Sequence, residues 1–121
     1  MSKHQPTELN LHRQSHILEL TFEDGSHFNL PCEYLRVYSP SAEVQGHGPG
    51  QEVLQLDKEA VNIDQIDPVG NYAVCLHFDD GHNTGIYSWD TLYYLGANHQ
   101  QMWQAYLERL EAAGHKRKVS S

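Results

Sequence analysis

Apolar and polar residues alternate along residues 17–22, where Leu18, Leu20 and Phe22 are separated by Glu19 and Thr21. A period of two is the strand period and predicts a strand with one buried face. Asp24-Gly25 follows, a pair suited to the φ > 0 positions of a hairpin turn, and Phe28 and Leu30 mark the return strand. Pro31 fits the first turn of a helix, which predicts one or two helical turns over 31–36. The same pattern then recurs. Under a shift of 56, Leu18 falls on Val74, Leu20 on Leu76, Phe22 on Phe78, Asp24 on Asp80, Gly25 on Gly81 and Leu30 on Ile86. One inserted residue later, Leu35 falls on Leu92. The second hairpin runs from Tyr72 to Tyr87, and Ser88 is placed to N-cap a helix from Trp89 to Leu95, closed by Gly96 at its C′ position.

Residues 38–51 are rich in Gly, Pro and Ser without an apolar period and predict a surface loop. Short strands are expected near Val53–Leu56 and Val61–Ile66, the latter ended by the turn cluster Pro68-Val69-Gly70-Asn71. Asn98 with Gln101 has the spacing of a capping box for a last helix. Along that helix Met102, Tyr106, Leu110 and Ala113 share one face, and Gly114 ends it. Residues 1–14 read as a flexible leader, 15–114 as one domain and 115–121 as a basic flexible tail. The fold class expected is α+β. It comprises a small single domain with two repeated β-hairpins in an antiparallel-rich sheet, a short helix after each, and a C-terminal amphipathic helix packed on the sheet.

Composition narrows the function more than it defines it. At 121 residues the chain suits one domain, and no run approaches the ~20 apolar residues of a membrane helix. The N-terminus lacks the apolar stretch of a secretory signal, so a cytoplasmic location is expected. Between Glu19 and Asp90 thirteen acidic residues face only Arg36 and Lys58, a balance that argues against a nucleic-acid backbone as partner. Cys32 and Cys75 lie far apart with no CxxC. Cys75, between Val74 and Leu76, reads as a buried residue, whereas Cys32 at a helix start reads as partly exposed. The carboxylate pairs Glu23-Asp24 and Asp79-Asp80 sit at the hairpin turns, which explains them without acid–base chemistry. No nucleophile elbow or phosphate loop is present, and no catalytic residue or cofactor is assigned.

Phe22-Glu23-Asp24-Gly25, Leu30-Pro31-Cys32-Glu33-Tyr34-Leu35-Arg36, residues 68–74 (PVGNYAV), Phe78-Asp79-Asp80-Gly81-His82 and Gly85-Ile86-Tyr87-Ser88-Trp89 together resemble the gamma-butyrobetaine hydroxylase-like N-terminal domain, also called DUF971. The resemblance covers about residues 17–113. It implies one of three settings: the small N-terminal domain of carnitine-pathway dioxygenases, an appendage to ATP-dependent iron–sulfur cluster carriers, or a free-standing bacterial protein, which this chain resembles by its length. In the dioxygenases the resemblance further implies a structural zinc, held by Cys-x-Cys-x-x-Cys after the Leu-Arg of the first repeat and by a histidine in the second hairpin turn. Those positions are Ser39, Ser41 and Val44 here, with His82 retained. Serine hydroxyls are poor substitutes for thiolates, so structural zinc is not expected.

The leading expectation is a non-catalytic protein-interaction or accessory domain with a protein partner, contacted through the 38–51 loop and the exposed aromatics Tyr34, Tyr38, Tyr87 and Tyr94. The alternative is a metal-handling accessory, binding iron or zinc for iron–sulfur cluster assembly, with His82 and loop residues such as Glu43 and His47 as ligands. The sequence does not set the oligomeric state.

Overall fold

In the computed structural model, which describes residues 4–46 and 52–117, the alternating segment forms strand β2 (Ile17–Phe22) with Leu18, Leu20 and Phe22 shut from solvent. It pairs antiparallel with β3 (His27–Pro31), and the chain passes directly into helix α1 (Cys32–Val37). The second copy gives β5 (Ala73–Phe78), β6 (Ile86–Ser88) and α3 (Trp89–Ala97). The two turns match in detail. Gly25 N–H donates to the Phe22 carbonyl at 3.0 Å and Gly81 N–H to the Phe78 carbonyl at 3.1 Å. Asp24 and Asp80 each accept, through Oδ1, the N–H two residues on, from Ser26 at 2.8 Å and His82 at 3.1 Å. Only the glycines take positive φ, +88° and +91°, so the aspartates fasten the turn by hydrogen bonding and not by a left-handed backbone.

Each hairpin gains a further strand ahead of it. β1 (Pro6–His12) pairs antiparallel with β2, and β4 (Ile63–Val69) with β5, each with one irregularity in register. The result is two three-stranded sheets, β1-β2-β3 and β4-β5-β6, where one antiparallel-rich sheet was expected. The reading of residues 1–14 as a loose leader is corrected over Pro6–His12, which form β1. Leu9 and Leu11 stand opposite Leu20 and Leu18 and pack against the core, while Asn10 and His12 face outward. Two apolar side chains and a strand ladder suffice to order this segment.

One core joins the two sheets. Leu18, Leu20, Phe22 and Leu30 from the first meet Val74, Leu76, Phe78 and Tyr87 from the second, with Leu35 of α1 and Leu92 and Leu95 of α3 between them. Ser88 caps α3 as expected, its Oγ accepting the Thr91 N–H at 3.1 Å. That helix does not stop before Gly96. It runs to Ala97, with Gly96 inside it because the Phe28 ring packs where a Cβ would stand.

Helix α4 (His99–Ala112) begins after Asn98, which makes no capping box because its side-chain amide donates to the Tyr94 carbonyl at 2.9 Å. Tyr106 and Leu110 are buried, Met102 and Trp103 half-buried and Ala113 exposed, so the expected face is right in its centre and fades at its end. The 38–51 loop contains a helical turn, α2 (Ala42–Gln45), and 47–51 lie outside the described residues. Val53–Leu56 form no strand, though Val53 N–H reaches the Val44 carbonyl at 2.8 Å. The tail is also less free than expected, since Arg117 pairs with Glu33. Among the described residues no helix is long and apolar enough to cross a membrane.

Candidate functional site

The four positions singled out in the sequence, Ser39, Ser41, Val44 and His82, arise from opposite halves of the repeat. After α1 the chain turns through Ser39-Pro40-Ser41, and Ser41 Oγ accepts the Glu43 N–H at 3.2 Å to start α2. That turn of helix directs Glu43 back toward the second hairpin. There His82, fixed by its N–H on Asp80, enters the gap with only 2% of its side chain exposed. Its Nε2 lies 2.9 Å from Ser39 Oγ and its Nδ1 3.2 Å from Glu43 Oε2. Around it Ser41 Oγ meets Thr84 Oγ1 at 2.6 Å, and Thr84 donates to Glu43 Oε1 at 3.2 Å. Gly85 belongs to the same design, because a Cβ there would collide with Ser39 Oγ.

The protonation state is set by the partners. A carboxylate only accepts, so Nδ1 carries the hydrogen that faces Glu43. Burial first, and the nearby Arg36 charge second, hold His82 below its ordinary value, against the opposite pull of Glu43 and Asp80. The ring is therefore neutral near pH 7, and Nε2 accepts the Ser39 hydroxyl hydrogen. Alongside, Asp80 Oδ2 accepts from Arg36 Nε at 2.9 Å and Lys58 Nζ at 2.6 Å. Burial opposes ionisation of Asp80, but hydrogen bonds from Lys58, the His82 N–H and Arg36 outweigh it and hold the carboxyl at about 2.

Serine, imidazole and carboxylate stand here in the order of an acyl-transfer triad, a signal missed in the sequence because Glu43 and His82 lie 39 residues apart. Ser39, however, has no exposed surface, and its oxygen also accepts the Ser41 N–H at 3.2 Å. Zinc does not fit either. The donors are two neutral hydroxyls and one imidazole whose nitrogens are both engaged, and the fourth position is the buried isopropyl of Val44. Among the described residues no three His, Cys, Asp or Glu gather to hold a metal ion, and His47 lies outside them.

The cysteines reverse their expected exposure. Cys32 is fully buried at the start of α1, its thiol pushed up to about 11 by burial. Cys75 faces the outer side of β5, half-buried, and burial raises its thiol as well. Neither is disposed to form a thiolate.

The tyrosine assignment is corrected for two of its four members. Tyr34 and Tyr87 have no exposed surface. Their hydroxyls reach the Leu95 carbonyl at 2.7 Å and the Leu35 carbonyl at 2.6 Å, so each ring fills the core and its polar tip ties one half to the other. Tyr38 is half-buried and donates to the Met102 carbonyl at 2.7 Å. Tyr94 is 59% exposed. Tyr38, Pro40, Tyr94 and Met102, with Glu52 and Arg109, line a groove of about 720 Å³. Tyr94 also lines a second cleft of about 600 Å³ with His4, Asp90 and Tyr93.

Comparison with known proteins agrees with this architecture. A solution NMR structure that is 50% identical covers 99% of this chain and 96% of its own, with a TM-score of 0.82. A second solution NMR structure is 42% identical over 99% of this chain and 94% of its own, at a TM-score of 0.83. A crystal structure of a DUF971-family protein of unknown function from Acidithiobacillus ferrooxidans is 40% identical, covering 77% of this chain and 93% of its own, at a TM-score of 0.65. No curated protein matches the chain. The family model described as gamma-butyrobetaine hydroxylase-like, N-terminal, matches residues 9–93. The chain belongs to that family.

Proposed function

We propose that this chain is a non-catalytic docking domain that binds a segment of a partner protein along the groove beside Tyr94. The observation that carries the reading is a tyrosine 59% exposed on α3, lining a groove whose walls also include Tyr38, Pro40 and Met102, with Glu52 and Arg109. Aromatic side chains bordering a cleft supply contact area at small entropic cost and are enriched among residues that dominate binding. The loop-to-turn cluster supports the reading indirectly. It directs its serine, imidazole and carboxylate at one another and fixes the segment that carries Pro40.

The occupant we favour is a peptide segment with one apolar side chain for the groove and a basic flank, because the formal charge of the chain is −8. A reducing, cytoplasmic setting suits the two unpaired thiols. The metal-handling alternative has less support, since His82 spends both ring nitrogens internally.

A photo-crosslinking amino acid placed at Tyr94 in the native cell, with one at the exposed Asn10 of β1 as control, tests the proposal. A protein captured from position 94 alone should, once purified, bind the Tyr94→Ala variant about tenfold or more weakly. Identical capture from both positions, or unchanged affinity in the variant, would contradict it.

A further inference from the structure

Beyond α4 the chain is turned back on itself. Gly114, at φ +73°, donates its N–H to the Glu111 carbonyl, and His115 donates to the Leu110 carbonyl, both at 2.9 Å. This is a Schellman ending, and it sets the direction in which the tail leaves the helix. Residues 115–117 run back along α4 and bring Arg117 to Glu33, a carboxylate in the first turn of α1 that is only 7% exposed. Arg117 Nε donates to Glu33 Oε2 at 2.8 Å and Nη2 donates to Oε1. The guanidinium carbon also lies 5.1 Å from the centre of the Trp103 ring. That ring is braced by Tyr34, edge-on at 6.3 Å, and by Tyr106 at 5.2 Å.

A buried carboxylate engaged at both oxygens, beside an aromatic face, is matched to one chemical group. Guanidinium presents two parallel donors and stacks on aromatic rings, whereas ammonium is a point charge and a neutral amide carries none. We propose that Glu33 and Trp103 form a seat for a guanidinium, filled in the free chain by its own Arg117, and that an arginine of a basic protein segment takes the seat in exchange.

Two further observations favour exchange over a permanent clasp. Arg117 keeps 26% of its side chain exposed, so an incoming group has access. The tail, His115-Lys116-Arg117-Lys118, is the one cationic run of an otherwise acidic chain, and so displays in cis the kind of segment that such a body attracts in trans. The seat is separate from the Tyr94 groove and does not rest on that reading.

The test uses the full chain and a synthetic peptide with the sequence of residues 115–121, tracking the Trp103 indole N–H by NMR. In Arg117→Gln the peptide should shift that signal saturably. The same peptide with glutamine for its arginine should bind about tenfold more weakly or not at all, whereas the wild-type chain, whose seat is filled, should still respond saturably but about tenfold more weakly than the variant. Adding Glu33→Gln to Arg117→Gln should abolish the response. Should Arg117→Gln fold poorly, Arg117→Lys keeps a positive charge at the seat and should still take up the arginine peptide more readily than the wild type. Equal binding by both peptides, equal binding to wild type and variant, or no response in either Arg117 variant would overturn the proposal and leave the tail a structural clasp only.

Discussion

Tyr87 carries a hydroxyl that no solvent reaches, and it uses it to hold the Leu35 carbonyl of α1. Burial pushes this phenol well above its ordinary range, so it remains a donor at any pH the protein meets. Tyr87→Phe should therefore cost about 1–3 kcal/mol in chemical denaturation, because a buried carbonyl is left without its partner. An unchanged midpoint would mean that the carbonyl finds another donor. The sequence could not separate Tyr34 and Tyr87 from Tyr94, since a ring with a polar tip serves a core and a surface equally well. What separates them is the β6 pairing of Tyr87 with Val74 and the packing of Tyr34 of α1 against Trp103 of α4, both long-range.

His82 makes a second prediction at this scale. It is harder to protonate folded than unfolded, so the unfolded chain binds more protons as pH drops. Its contribution is complete above the ordinary value of 6.5 and is lost as pH falls from there toward the lower folded value. Wild type should lose stability as pH falls below 6.5, and His82→Gln should lose less over the same descent. His99, also held low by burial, supplies the slope that persists in the variant. Parallel pH profiles for the two proteins would show that His82 is not the titrating group.

The repeated element is larger than the hairpin that revealed it. β1 precedes the first hairpin as β4 precedes the second, and α1 corresponds to α3, so each half is three strands and a helix. The hairpins were legible because Leu18, Leu20 and Phe22 recur as Val74, Leu76 and Phe78 around identical Asp-Gly turns. β1 was not legible. It is an outer strand with one wet face, it begins at a proline, and its two leucines gain meaning only opposite β2. The loop chemistry was half legible: His82, Glu43 and the two serines stood out as candidate metal ligands, while their hydrogen bonding to one another and the part of Thr84 did not, because only the packed turn brings them together.

Helix α4 carries the prediction that belongs to elements. Leu110 is 2% exposed in a small cluster with Val37 and Tyr106, so Leu110→Ala should cost about 2–4 kcal/mol. Because Arg117 also reaches Glu33 of α1, removing residues 115–121 should lower stability by a smaller but measurable amount, about 1 kcal/mol. Comparing the two by urea denaturation checks the order. Equal effects would give the tail as large a structural role as the core face of α4.

At the scale of the whole molecule, one core, two crossing tyrosine hydroxyls and the Ser39–His82–Glu43 hydrogen bonds hold the halves together. Ser39 and His82 of this last set stand at two of the positions at which the resemblance implies zinc in the dioxygenases. A loop fastened by hydroxyls and an imidazole needs no ion, whereas a fold built on a metal collapses when the metal is removed. Hydrogen bonds and the buried Val44 thus hold this loop without a metal ion. The direct measurement is the zinc content of protein purified without a histidine tag, together with its thermal melt in the presence and absence of EDTA. Less than about 0.1 zinc per chain and superimposable cooperative melts are expected. A ratio near one zinc per chain, with the cooperative transition lost in EDTA, would contradict a metal-free loop.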